Sequence, residues 1–122
     1  MYKSTNLLIE TKPKLVRDNI PEIIKKAENV KVVIRILGDN EYGERLIEKI
    51  HEETEEFSLA IKDNTNPVEE LADILELINA AADYVGSTIS EVEKERLKKL
   101  EKRGGFKKKI MLLGKENKEK KK

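Results

Sequence analysis

Two pairs of acidic residues in this sequence have the types and spacing that suit the binding of a divalent metal ion. Glu53 and Glu56 form one pair, and Glu70 and Asp73 form the other. Residues three apart in an α-helix lie on the same side, with Cβ atoms about 5–6 Å apart. Mg²⁺ is a hard cation that prefers oxygen ligands, and carboxylates supply them. We therefore interpret the four acids as candidate ligands of Mg²⁺, with Mn²⁺ as an alternative.

The two pairs fall in two predicted helices that a short loop joins. Apolar residues at helical spacing predict the first helix over residues 40–61, with Asp39 as its N-cap. Asn66 as N-cap, with Pro67 in the first turn, predicts the start of the second helix, and Gly86 predicts its end. Helices joined by a short loop pack antiparallel. We therefore expect the two acidic pairs to face each other.

Both pairs interrupt stripes that are otherwise apolar. Glu53 lies between Ile50 and Phe57 on one stripe, and Glu70 begins the stripe that continues with Ile74. Carboxylates that converge at a partly buried place repel one another and raise one another's pKa. A divalent cation relieves that repulsion, which favours a metal site.

Two other interpretations stay open. The acids could be ordinary solvated residues of Glu-rich helices. A di-iron site of the ferritin-like type uses Glu-x-x-His on two helices. Glu48 and His51 match that pattern once, but His51 is the only histidine, so a symmetric site cannot form within one chain. We expect His51 to be a surface residue or a hydrogen-bond partner of a ligand.

Three segments together resemble one enzyme family. The acidic pattern is Glu52-Glu53-x-x-Glu56, thirteen intervening residues, then Glu70-x-x-Asp73. It resembles the metal-binding signature of the all-α nucleoside triphosphate pyrophosphatases. These MazG-like proteins include dimeric dUTPases and phosphoribosyl-ATP pyrophosphohydrolase. Residues 14–24 look like the opening of a MazG-like branch of predicted house-cleaning pyrophosphatases, and residues 103–106 look like its C-terminal signature. The resemblance spans residues 14–110 and leaves residues 1–13 as an extension.

The resemblance implies Mg²⁺-dependent cleavage between the α and β phosphates of a nucleoside triphosphate, giving a monophosphate and pyrophosphate. It implies that the metal ligands are Glu53, Glu56, Glu70 and Asp73. Glu52 would be a further ligand or a base that orients water, so Glu52 and Glu53 are the predicted catalytic residues. The base of the substrate stays open, and phosphoribosyl-ATP is an alternative to a noncanonical nucleotide.

The triphosphate also needs cations that the metal alone does not supply. Arginine suits bidentate contacts with phosphate, and lysine supplies a point charge. The candidate phosphate-binding residues are Lys14, Arg17, Lys102 and Arg103. The alternative for each is an ordinary ion pair with a surface acid.

The sequence as a whole predicts an all-α protein, an antiparallel helical bundle of one domain over residues 1–113. A short helix begins near Pro21, and a capping box at Ser90 and Glu93 opens a third long helix that ends before Gly104. Extended or β segments are expected at residues 30–38 and 106–113, and they could pair as a ribbon.

One helix predicts a partner subunit, whereas the end of the chain predicts disorder. Residues 71–82 are apolar nearly all round, which indicates burial from several sides and hence a homodimer or higher homo-oligomer. Residues 114–122 have no apolar content and are expected to form a disordered lysine-rich tail. A lysine run without aromatic partners does not favour nucleic-acid binding.

Composition limits the remaining classes. The 122 residues include no Cys, and 40% are charged, with a net charge of +1. Disulfides and thiolate metal sites are therefore excluded. No apolar run reaches the roughly 18 residues of a membrane span, and the polar start lacks the apolar stretch of a signal peptide. We expect a cytoplasmic protein, and a helical interaction module without catalysis is the alternative to an enzyme.

Overall fold

The structure, a computed structural model, describes residues 12–118. It contains four helices over this range: α1 (Ile20–Glu28), α2 (Asp39–Asp63), α3 (Pro67–Tyr84) and α4 (Ile89–Arg103). No strand is formed by residues 12–118, so the all-α prediction is confirmed for the part of the chain that is described. The chain separates into two compact units that divide after Ile89.

The starts of the helices follow the sequence signals closely. Pro21 lies in the first turn of α1, where its missing N–H costs nothing. Helix α2 begins one residue earlier than predicted, because Gly38 takes the extended N-cap conformation (φ −77°, ψ 170°). Asp39 is therefore not the N-cap. It lies in the first turn of α2, where its charge still interacts favourably with the helix dipole.

The connection between α2 and α3 is a short turn built on two asparagines. Asn64 ends α2 in the left-handed conformation (φ 57°), and Asn66 adopts the same region (φ 43°). Asparagine tolerates this region better than most residues. The Asn66 side chain accepts a hydrogen bond of 3.3 Å from the backbone N–H of Glu69. The predicted cap at Asn66, with Pro67 next to it, is thus confirmed and places Glu70 within the first turn of α3.

Helices α2 and α3 pack against each other, and their contact holds the buried residues of the first unit. Leu46 and Ala60 of α2 and Ala82 of α3 are each only 3% exposed. So few buried side chains leave much apolar surface exposed to solvent.

A second contact joins the first turns of α2 to the end of α3. Gly43 is buried, and a Cβ atom at this position would lie 2.6 Å from Cζ of Tyr84. The rings of Tyr42 and Tyr84 meet edge to face, with centroids 5.8 Å apart. Gly43 is thus required for the close approach of the Tyr84 ring. Beyond it, α3 stops at Val85, and Gly86 follows in the left-handed region (φ 81°), as predicted.

The expected β segments are not strands. Residues 30–38 and 106–113 are mostly exposed and have no ladder partner among the described residues. Ile36 is 84% exposed and Phe106 is 96% exposed. The prediction of a ribbon is therefore wrong for this structure, because an isolated strand without a partner leaves its backbone groups to water.

The second unit is built on α4, whose residues are all exposed. The helix already begins at Ile89, so the predicted capping residue Ser90 lies inside its first turn rather than before it. Gly104 ends the helix with φ 83°, and its N–H donates to the carbonyl of Leu100 at 2.8 Å. Residues 114–118 have no regular structure. The rest of the predicted tail, residues 119–122, and residues 1–11 of the N-terminal extension lie outside the described residues.

None of the described helices combines the length and apolar character that crossing a membrane requires.

Candidate metal site

Three of the four predicted metal ligands converge between α2 and α3. Glu53 of α2 and Glu70 and Asp73 of α3 each offer a carboxylate oxygen, and these oxygens lie within 4.8 Å of one another. All three residues are half-buried. We call this group the acid cluster.

The packing of the two helices explains why these three acids meet. Glu53 lies on the side of α2 that also carries the half-buried Ile50 and Phe57. Glu70 and Asp73 lie on the side of α3 that carries the half-buried Leu77. Because these apolar neighbours are half-buried on the facing sides of the two helices, the acids beside them lie in the same partly buried region.

Two cations flank the acid cluster from different parts of the chain. Arg17 Nη2 donates to Asp73 Oδ1 at 2.7 Å, from the segment that precedes α1. Lys49 Nζ lies 3.9 Å from Glu53 Oε2 and 3.2 Å from Glu52 Oε1, one turn earlier on α2. The cluster therefore carries three carboxylates against two positive charges.

The environment of Glu53 favours its protonated form. Partial burial raises the pKa of Glu53 above the ordinary value, and the nearby Asp73 and Glu70 carboxyls raise it further. Lys49 opposes this effect only in part. Only 14% of the Glu53 side chain is exposed, so water does little to screen the repulsion.

The distances suit one hard cation after a small adjustment. Mg²⁺ binds oxygen at about 2.1 Å, so two ligands of one ion lie no more than about 4.2 Å apart. The cluster oxygens lie within 4.8 Å of one another, which is near this limit. Rotation within the flexible Glu side chains would bring them to it. The all-oxygen donor set, the partial burial and the raised pKa of Glu53 all fit a divalent metal.

A cleft of about 210 Å³ opens beside the cluster. Its lining includes the apolar Leu15, Val16, Ile20 and Leu77 together with the charged Arg17, Lys49, Glu53, Asp73 and Glu76. A ligand in this cleft would meet carboxylates, cations and apolar side chains.

The remaining predicted residues lie elsewhere or only near the site. Glu56 is exposed and is not part of the acid cluster. Glu52 is exposed and pairs with Lys49. Lys14 is exposed in the segment before α1 and does not line the cleft. Lys102 and Arg103 are exposed in the last turn of α4, in the second unit.

Sequence reasoning missed two polar residues of the cleft. Lys49 precedes Glu53 by four positions, so a helical projection would have placed the two side chains together. Glu76 follows Asp73 by one turn of α3 and lines the cleft, but it looks like any exposed acid in the sequence. Helical spacing was therefore present for both residues, but it did not distinguish Glu76 from the other acids of α3.

Comparison with known proteins adds no relative: the chain matches no protein-family model, no curated protein and no solved structure.

Proposed function

We propose that this chain is a Mg²⁺-dependent nucleotide pyrophosphohydrolase, which cleaves a cytoplasmic nucleoside triphosphate between the α and β phosphates. The observation that carries the proposal is the convergence of Glu53, Glu70 and Asp73 at a half-buried place flanked by cations. The resemblance of the acidic pattern to MazG-like pyrophosphatases supplies the reaction class, and a noncanonical nucleotide in a house-cleaning role is the substrate it favours.

The acid cluster would hold the metal, and the flanking groups would hold the substrate. Bound there, Mg²⁺ would neutralise phosphate charge and lower the pKa of a coordinated water. Arg17 and Lys49 line the same cleft and would contact phosphate oxygens. Glu52, beside Lys49, would accept a proton from the attacking water or orient it. Little covalent chemistry is asked of the protein, since phosphoryl transfer depends mainly on positioning and charge.

The apolar lining of the cleft would receive the part of the nucleotide that carries no charge. Leu15, Ile20 and Leu77 belong to this lining. A cleft of about 210 Å³ covers only part of a nucleoside triphosphate, so the rest of the pocket would come from elsewhere.

A second subunit would complete this arrangement. Helices α2 and α3 would form an antiparallel hairpin within each subunit, which the approach of Gly43 to Tyr84 and of Glu53 to Glu70 supports. One side of α3 carries an apolar stripe that remains exposed in the single chain, formed by Val68, Leu71, Leu75 and Ile78. This stripe lies on the side of α3 opposite Glu70 and Asp73. A homodimer or larger bundle would cover it without blocking the acid cluster.

The direct test is a substrate panel. The protein is incubated with Mg²⁺ and canonical, deoxy and damaged nucleoside triphosphates, and monophosphate and pyrophosphate are measured separately. We expect equal amounts of the two products from at least one nucleotide. The reaction should disappear in Glu53→Gln and persist in Glu55→Gln, since Glu55 is an exposed acid of the same helix outside the cluster.

The pattern of failure would identify what is wrong. Release of orthophosphate instead of pyrophosphate would contradict cleavage between the α and β phosphates. Equal activity in Glu53→Gln and wild type would show that the acid cluster takes no part in the reaction. Inactivity on every nucleotide, together with no binding of Mg²⁺, would favour the non-catalytic interaction module, for which the exposed stripe of α3 is the supporting feature.

A further inference from the structure

We propose that Arg17 is the counterion of the acid cluster when no metal is bound, and that a divalent metal displaces it from Asp73 toward the substrate phosphates. The inference rests on the proposed metal site and assigns to Arg17 a role beyond phosphate binding. Without metal, Arg17 would offset part of the negative charge of the acid cluster. It would become available to the substrate only after the metal has bound.

The contact between Arg17 and Asp73 is close but exchangeable. The Nη2–Oδ1 distance is 2.7 Å, yet 57% of the Arg17 side chain and 36% of the Asp73 side chain are exposed. Ion pairs with this degree of exposure contribute little to stability because water solvates both partners. A metal that needs the Asp73 carboxylate can therefore compete for it.

The charge balance explains why the metal would release Arg17. Three carboxylates against Arg17 and Lys49 leave one excess negative charge. The two charges of Mg²⁺ turn this into one excess positive charge. The guanidinium and the metal then repel each other, whereas both attract a polyanionic phosphate chain. A site with one excess negative charge without metal thus becomes a phosphate site with it.

The backbone around Arg17 allows the side chain to move without unfolding its surroundings. The carbonyl of Arg17 accepts a hydrogen bond of 3.0 Å from the N–H of Ile20, which anchors the main chain at the start of α1. Arg17 lines the cleft, and its Nη2 reaches Asp73 Oδ1 there. Movement between Asp73 and a ligand in the same cleft needs only new side-chain rotamers.

Two binding measurements on one variant test this role. Titration calorimetry with Mg²⁺ alone is compared for wild type, Arg17→Gln and Lys26→Gln. Loss of the competing guanidinium should tighten Mg²⁺ binding by about 2- to 5-fold in Arg17→Gln. Lys26→Gln removes the same charge from an exposed side chain of α1 that does not line the cleft, so its affinity should stay near that of wild type.

The second measurement uses inorganic pyrophosphate at saturating Mg²⁺. Arg17→Gln should bind pyrophosphate about tenfold more weakly than wild type, because a charged hydrogen-bond donor is lost. Arg17→Lys keeps the charge but lacks the planar guanidinium. Its affinity for pyrophosphate should lie between those of wild type and Arg17→Gln. Opposite changes in the affinities for metal and for pyrophosphate are the signature of displacement, and a purely structural ion pair would not produce them.

The outcomes separate this inference from the proposed function. If wild type binds Mg²⁺ but Arg17→Gln binds it no more tightly than Lys26→Gln does, Arg17 does not compete with the metal and the inference is wrong while the metal site stands. Weaker Mg²⁺ binding in Arg17→Gln would show that Arg17 positions Asp73 instead, which also overturns it. If wild type binds no Mg²⁺, the metal site and the inference fall together.

Discussion

At the scale of single residues, the Glu53 carboxyl couples the stability of the protein to pH. Its pKa is raised by partial burial and by the neighbouring Asp73 and Glu70 carboxyls. A carboxyl that binds its proton more tightly in the folded state makes folding less favourable as pH rises. We therefore expect the metal-free protein to lose stability as pH rises from 4.5, the ordinary value, through the raised pKa. Urea unfolding at a series of pH values in the presence of a chelator measures this.

The variant Glu53→Gln should remove that loss, and Glu55→Gln should retain it. Two other acids, Glu41 and Glu93, affect the pH dependence of stability in the opposite direction and over a lower pH range. Hydrogen bonds from Arg35 and Arg96 lower the pKa of Glu41 and Glu93, so their contribution is lost only as pH falls below 4.5. An unchanged dependence above pH 4.5 in Glu53→Gln would contradict the assignment of the effect to the acid cluster.

The spacing of residues along the chain predicted part of the candidate site. The other part could not be predicted, because its residues are far apart in the sequence. Glu53, Glu70 and Asp73 could be placed together because a short loop constrains two neighbouring helices. Glu56 could not be separated from them, because it lies only about 60° from Glu53 around the helix axis, and such a small rotation decides whether a side chain reaches the partner helix or solvent. The contact of Arg17 with Asp73 joins residues 56 positions apart and depends on tertiary packing that no local pattern reports.

At the scale of elements, the close approach of Tyr84 to Gly43 predicts how Gly43→Ala changes the stability of the protein. Removal of the Tyr84 ring should reverse the sign of that change. In Gly43→Ala the new Cβ would collide with the Tyr84 ring, and overpacking of this kind costs about 1–3 kcal/mol. Alanine also gains about 0.5–1 kcal/mol of helix propensity over glycine. We expect a net loss of stability in Gly43→Ala, measured by urea unfolding.

The same substitution should be stabilising when the ring is absent. In the background of Tyr84→Ala only the gain in helix propensity remains, so Gly43→Ala should raise the free energy of unfolding by about 0.5–1 kcal/mol. A double-mutant cycle isolates the contact. Equal effects of Gly43→Ala in both backgrounds would mean that Tyr84 does not restrict this position.

The elements themselves could be predicted where local signals decide them. The asparagine and proline before α3 and the glycines after α3 and α4 act within a single turn, and those boundaries agree with the structure. Of the two alternatives at residues 30–38, an extended segment or a strand, the strand did not form, because preference for strand reflects packing on a sheet rather than the isolated backbone. A Val- and Ile-rich segment becomes a strand only if another strand is there to pair with it.

At the scale of the whole molecule, exposed apolar surface predicts self-association. Leu75, in the middle of the exposed stripe of α3, is 60% exposed. Burial of such a stripe between copies of the chain removes apolar area from water and favours association. We expect wild type to sediment as a dimer or larger, and Leu75→Glu to shift toward the 14.0 kDa monomer.

A matched variant controls for the added charge in that experiment. Ser58→Glu introduces the same charge at an exposed position of α2 that carries no apolar side chain. It should leave the sedimentation mass of wild type unchanged. Wild-type protein that sediments at 14.0 kDa at micromolar concentration would contradict the predicted oligomer and leave the stripe exposed in solution.

Binding of Mg²⁺ to the acid cluster is the central claim, and titration calorimetry tests it most directly. Wild type and Glu55→Gln should both show saturable binding, because Glu55 lies outside the cluster. Glu53→Gln and Asp73→Asn should each lose most of the affinity, since each removes one of three charged oxygen ligands. Absence of saturable binding in wild type, or equal affinity in wild type and Glu53→Gln, would contradict the assignment of a metal site to Glu53, Glu70 and Asp73.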